Sequence, residues 1–214
     1  TAGLRKQARV YEKLEHLSVN DTFRAIQYAQ VVILVLDADQ PLERQDLTIA
    51  RKVVEEGRAL VICVNKWDSV KDRETALAQI RDRLQTSLQQ IRGVPVVTLS
   101  ALTGRGVDKL LPTVVKIFDL WNARVPTGAL NRWLKEMLEG HPPPMGSHGK
   151  RLSVRYATQA KSRPPTFILF SSTATKLPES YLRYLTNGLR DSFGLEGIPI
   201  RILTRSGKNP FSKD

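Results

Sequence analysis

Three short, β-branched and almost wholly apolar runs mark the first half of the chain: residues 31–36 (Val-Val-Ile-Leu-Val-Leu), 59–64 (Ala-Leu-Val-Ile-Cys-Val) and 95–99 (Pro-Val-Val-Thr-Leu). Runs without polar alternation predict parallel strands covered on both faces, because a half-exposed strand shows every second position polar. Between them, apolar positions recur at helical spacing. A short helix is expected over 21–28. A longer one over 43–56 places Leu47, Ala50, Val53 and Val54 on one face, and another over 72–88 groups Leu77, Ile80, Leu84 and Leu88. The clearest stripe runs over 107–120, through Val107, Leu110, Leu111, Val114 and Phe118. Strands alternating with helices of this length predict a doubly wound α/β domain. Ligands in such sheets bind beyond the carboxyl ends of the strands.

The pattern changes after residue 126. A helix is expected over 128–138, then a loop over 141–149 whose prolines and glycines cannot continue a helix. A strand follows over 151–159, a basic loop, a strand over 166–172, a helix over 178–193 and a strand over 198–204. Leu182, Leu185, Leu189 and Phe193 form the expected buried face of that helix. The order α-β-β-α-β predicts a small α+β sandwich, so the chain divides into residues 1–126 and 127–214.

Two of the strand ends carry chemistry. The run over 59–64 delivers Asn65-Lys66-Trp67-Asp68, and the run over 95–99 delivers Ser100-Ala101-Leu102-Thr103-Gly104, with Ser100 35 positions after Asn65. A carboxylate at Asp68 accepts from both N1–H and the 2-amino group of guanine, whereas adenine offers neither donor. A site built to hydrogen-bond a group rejects analogues lacking it far more strongly than an apolar pocket does. Asn65 is expected to brace the loop and approach N7. The stem of Lys66 lies over the base, and Trp67 packs or shields. A small residue at Ser100 lets the Ala101 N–H approach guanine O6, a contact the adenine amino group repels. Gly104 and Gly106 then release the chain into the next helix. The ligand these loops predict is GTP or GDP.

Composition limits the rest. The 214 residues are 41% hydrophobic and 25% charged, ordinary for a soluble protein. No apolar run approaches the ~20 residues that span a bilayer. Cys63 is the single cysteine, so no disulfide forms within the chain, and a reducing, cytoplasmic location fits. Net charge is +12 and uneven: residues 1–126 carry 19 Lys/Arg against 15 Asp/Glu, residues 127–214 carry 14 against 6. A basic second domain implies a polyanionic partner, with Lys161, Arg163, Arg183, Arg190, Arg201, Arg205 and Lys208 as the candidates for RNA contact.

Thr1-Ala2-Gly3-Leu4, Asn65-Lys66-Trp67-Asp68, Ser100-Ala101-Leu102, Thr158-Gln159 and Arg163-Pro164-Pro165-Thr166-Phe167 together resemble the bacterial double-GTPase family called Der or EngA. The resemblance runs over essentially the whole chain. It implies the latter part of a P-loop-type GTPase domain with a parallel sheet, followed by a small α+β KH-like domain. It further implies a role in assembly of the large ribosomal subunit, contact with its rRNA and a preceding G domain of the same protein as partner. Thr1-Ala2-Gly3 resembles the tail of the Asp-Thr-Ala-Gly motif, whose Asp supports Mg²⁺ and whose Gly senses the γ-phosphate. Leu4 stands where Ras-like proteins place a water-orienting Gln, and the resemblance implies that another group or K⁺ substitutes.

The phosphate-binding pattern GxxxxGK[ST] does not occur in these residues. The expectation is therefore a fragment that reads the base, binds GTP weakly and does not hydrolyse it alone, with Mg²⁺ held by residues of a longer protein. Asp37 and Asp39 fit capping and turn formation before Pro41 better than metal ligation. His16, His141 and His148 share no metal spacing. Gly146-Ser147-His148-Gly149 spells the KH clamp pattern but precedes a strand instead of joining two helices. Two other readings stay open at this level: a nucleotide-independent RNA- or protein-binding module, and an Era-like GTPase.

Overall fold

The computed structural model describes residues 21–145, 152–171 and 177–206. Thr1, Ala2, Gly3, Leu4, the Gly146–Gly149 segment and Lys208 lie outside the described residues. Two compact units divide between Asp119 and Leu120, with Gly197–Pro199 belonging to the first. This division falls earlier than residue 126 because backbone groups after Asp119 bond to the second unit. Trp121 is buried, the Val125 N–H donates to Gln159 Oε1 at 2.8 Å, and Gln159 Nε2 donates to the Ala123 carbonyl at 2.9 Å.

The first unit holds a parallel sheet in the order β1-β2-β3, formed by Val31–Asp37, Ala59–Asn65 and Val96–Thr98. Helix α1 covers residues 21–28. Helices α2 (Arg44–Glu55), α3 (Arg73–Ser87) and α4 (Leu110–Trp121), the last up to Asp119, complete the unit. α2 starts in a capping box, in which the Glu43 N–H donates to Asp46 Oδ2 at 2.9 Å. The Asp72 side chain caps α3 by accepting from the Thr75 N–H at 3.1 Å. Both caps satisfy N–H groups that have no partner within the helix. Leu47, Ala50, Val53 and Val54 of α2 and Ile80 and Leu84 of α3 are buried where helical periodicity places them. β2 is buried from Ala59 through Val64, as a central parallel strand should be.

β1 differs from its sequence expectation. Among the described residues it pairs with β2 alone, and Val35 is 60% exposed. The last helix departs too. The backbone makes a 3₁₀ turn at Val107–Lys109 before α4 begins, and Leu111 is 70% exposed. The buried side is instead Ile117 and Trp121, four residues apart on one face.

The second unit packs α5 (Thr127–Gly140) and α6 (Glu179–Phe193) with a sheet in the order β4-β5-β6: Val154–Ser162, Pro165–Ser171 and Arg201–Ser206. β4 and β5 are antiparallel, with Ser162 paired to Pro165, so the expected basic loop is a tight hairpin turn. β5 and β6 are parallel. Asn131 of α5 closes the β4 edge: its Oδ1 accepts from the Ala157 N–H and its Nδ2 donates to the Ala157 carbonyl, both at 2.9 Å. Those bonds imitate a neighbouring strand.

The buried face of α6 is Tyr181, Leu185 and Leu189, a stripe at i, i+4 and i+8. Leu182 and Phe193, expected there, are only half-buried. Tyr181 donates its hydroxyl to the His141 carbonyl at 2.6 Å and stacks on the His141 ring. Burial, with Tyr184 beside it, pushes the Tyr181 phenol up to about 12.

Candidate functional site

The carboxyl ends of the first sheet bring three loops together. Asp37 and Asn65 are partners in the β1–β2 register, and the Ala38 N–H donates to the Asn65 carbonyl at 3.0 Å. The chain then turns at Lys66 through a left-handed conformation, φ 60. That conformation is sparsely populated by non-glycine residues and clusters at functional turns. The Lys66 ammonium pairs with Asp37 Oδ2 at 2.5 Å, and the Asp37 side chain is 13% exposed. Asp37 Oδ1 also accepts the Asp39 N–H at 3.2 Å, so the turn role expected for Asp37 is present beside an ion pair that was not foreseen.

The second loop is locked to the third by four contacts. Leu99 donates its N–H to the Val64 carbonyl at 2.9 Å, and Trp67 donates to the Leu99 carbonyl at 3.1 Å, continuing the ladder beyond β3. Asn65 Oδ1 accepts from the Ala101 N–H at 2.9 Å. Ser100, 2% exposed, donates its hydroxyl to the Asp68 carboxylate. The same Ser100 Oγ accepts from the Thr103 N–H at 3.2 Å. A small hydroxylated residue at this position therefore does more than make room, since it also orients the carboxylate.

Asp68 is exposed, so its carboxylate is open to a ligand rather than enclosed by the fold. The Ser100 hydroxyl, followed by a hydrogen bond from the backbone N–H of Asp68 itself, holds the Asp68 pKa below the ordinary 3.8 against an opposing desolvation, with a lesser contribution from the charge of Arg73. Trp67 is half-buried and packs on the first unit's core, while Leu102 is 88% exposed. A cavity of about 600 Å³ opens beside Asp68 and Ser100, with Trp67, Arg105 and Lys109 also on its wall.

Gly106 is required by both conformation and space. Its φ is 80, and a Cβ would lie 2.6 Å from the Thr98 carbonyl oxygen. Gly106→Ala is expected to destabilise the protein by about 1–3 kcal/mol, the cost of a strained backbone. The denaturant midpoint measures this, and an unchanged midpoint contradicts the loop geometry.

The basic candidates separate into groups. Lys161, Arg163, Arg201 and Arg205 are exposed. The register pairs Lys161 with Thr166 and Thr166 with Arg201, bringing two of them onto one sheet face. Arg183 is exposed on α6 and pairs with Glu179 at 3.7 Å. Arg190 is 2% exposed, with Nη1 donating to Asn187 Oδ1 at 3.2 Å, so it is corrected from RNA contact to an internal anchor. Sequence could not see this, because a helical stripe extending from Leu189 takes the next position along with it.

Comparison with known proteins bears on both units. A family profile described as the elongation factor Tu GTP binding domain matches residues 19–119. One described as KH-domain-like of EngA bacterial GTPase enzymes, C-terminal, matches residues 124–205. GTPase Der of Parvibaculum lavamentivorans is 55% identical over 212 residues, covering 99% of this chain and 45% of that protein. The chain belongs to the GTPase Der family. GTPase Der of Dinoroseobacter shibae is 52% identical over 213 residues, covering 99% of this chain and 43% of its own length. The chain thus spans less than half the length of these relatives. Among solved structures, Era of Aquifex aeolicus matches with a TM-score of 0.45 and 14% identity over 96% of this chain and 74% of that one. The first unit of this Der-family chain is of the GTPase type and the second is KH-like. Among the described residues, no helix is long and apolar enough to cross a membrane.

Proposed function

We propose that the first unit reads the base of GTP or GDP in a GTPase of large ribosomal subunit assembly, and that the KH-like unit contacts rRNA. The observation that carries the reading is the union of two strand-end loops by Asn65 Oδ1 on the Ala101 N–H and by the Ser100 hydroxyl on Asp68. Together they set an anionic acceptor and a backbone donor around one concave edge. Asp68 accepts N1–H and the 2-amino group. Asn65 keeps Oδ1 on the loop and turns Nδ2 to N7, and the Ala101 N–H is shared between Asn65 and O6. Asp37 fixes the Lys66 ammonium, which lays the lysine stem across the base plane. Leu102 and Trp67 flank the ring.

Thr1, Ala2, Gly3 and Leu4 belong to the γ-phosphate end of the same proposal and lie outside the described residues. Mg²⁺ would shield phosphate charge. The described residues hold no cluster of three or more His, Cys, Asp or Glu side chains, so they do not fit a metal by themselves and no step is assigned to it or to K⁺.

Competition against a fluorescent guanine nucleotide on the full chain tests the reading. GTP is expected to displace it at concentrations roughly a hundredfold below those ATP requires, the effect of two lost hydrogen bonds. Equal displacement by ATP overturns it.

A further inference from the structure

We propose that the more exposed face of the second unit's sheet, at its Tyr156–Phe170–Arg205 end, is a stacking platform for single-stranded RNA. Three cross-strand rows make up this face. Tyr156 pairs with Phe170 and Phe170 with Arg205; Thr158 pairs with Ile168 and Ile168 with Leu203; Lys161 pairs with Thr166 and Thr166 with Arg201. Directly paired residues project to the same side of a sheet. The opposite face carries Phe167 and Leu169, each 1% exposed; on the platform side Thr166 and Ile168 of the central strand are also buried, so the accessible surface there is Tyr156, Phe170 and the outer-strand residues Lys161, Arg201, Leu203 and Arg205.

On the open side the Tyr156 and Phe170 rings lie 6.0 Å apart, tilted by 43°, and both are half-buried. Leu203 is 48% exposed between the exposed Arg201 and Arg205. Two neighbouring rings edged by cations complement unpaired bases strung along phosphates: the rings take base faces, the arginines take the backbone. A duplex buries its base faces and offers the rings nothing. Charge supports the same occupant, since residues 127–214 carry 14 Lys/Arg against 6 Asp/Glu.

This inference rests on the proposed rRNA contact and narrows it to a strand type and a surface. The experiment measures anisotropy of a labelled oligouridine of about a dozen nucleotides, and of a duplex of equal length, on the full chain. Tyr156→Leu and Phe170→Leu are each expected to weaken oligouridine binding about tenfold with the salt slope unchanged. Tyr156→Phe, which keeps the ring, is expected to retain affinity, and thermal melting checks that each variant is folded. Arg201→Gln with Arg205→Gln is expected to lower the salt slope by about 1.4, at ~0.7 per single-strand phosphate contact.

Leucine variants that bind oligouridine like the wild type, or a duplex bound as tightly as the single strand, overturn the platform while leaving rRNA contact standing. A wild-type chain that binds neither oligouridine nor ribosomal RNA overturns both. A face protected from hydrogen exchange by another protein domain, with no oligouridine affinity, assigns it to protein instead and also overturns the platform.

Discussion

Asp68→Asn in the full chain is expected to lower affinity for GTP about a hundredfold and to turn preference toward xanthosine triphosphate. Guanine presents N1–H and a 2-amino group to the Asp68 position, and both need an acceptor. Xanthine presents a carbonyl in place of the amino group, and the new carboxamide can donate to it. The change is nearly isosteric, so the Asn65–Ala101 bridge and the ladder from Trp67 to Leu99 remain. Equilibrium titration with both nucleotides measures the switch, and unchanged GTP binding would remove the base-reading role from this loop. The depressed pKa adds a second readout. A carboxylate held below 3.8 by the Ser100 hydroxyl contributes above that value and is lost only as pH falls through its lowered native value. Guanine preference should therefore be flat between neutrality and about pH 5, well above the ordinary Asp range.

Phe167→Ala is expected to cost about 3–5 kcal/mol, because a fully buried aromatic is replaced by a cavity. Phe167 is 1% exposed and pairs with Gln159 on one side and Ile202 on the other, at the centre of the three-stranded sheet. Urea denaturation followed by far-UV circular dichroism measures the loss. Phe170→Leu, three positions on and facing away, is expected to cost about 1 kcal/mol. Equal costs at the two positions would contradict the assignment of the sheet's two faces.

Much of this arrangement was legible in the chain because it is local. Continuous apolar runs located β1, β2 and β3, and helical spacing placed Glu43 and Asp72 at helix starts. The Asn65–Asp68 and Ser100–Leu102 loops were readable because chemistry at a strand's carboxyl end follows from the strand's own position. Where the expectations failed, the deciding partner was distant. Leu111 belongs to an apolar stripe by spacing, yet Ile117 and Trp121 are the residues that find a core. Arg190 reads as a surface cation and is buried with Leu185 and Leu189 on the packed side of α6. Asp37 looked like a turn former, and its bond to Lys66 crosses from one strand end to the next.

The sequence by itself determined the family, the order of elements and which side chains stand at the rim of the first sheet, because periods of two and 3.6 residues and short motifs are written in neighbouring positions. Only the tertiary structure decided that Asn65 and Ser100 clasp the two loops, that Asp68 stands exposed, and that Phe167 is covered while Phe170 faces out. A strand's alternation makes two faces but does not say which of them the helices will cover. That choice depends on packing between segments far apart in the chain, where burial of apolar surface and pairing of polar groups are settled together.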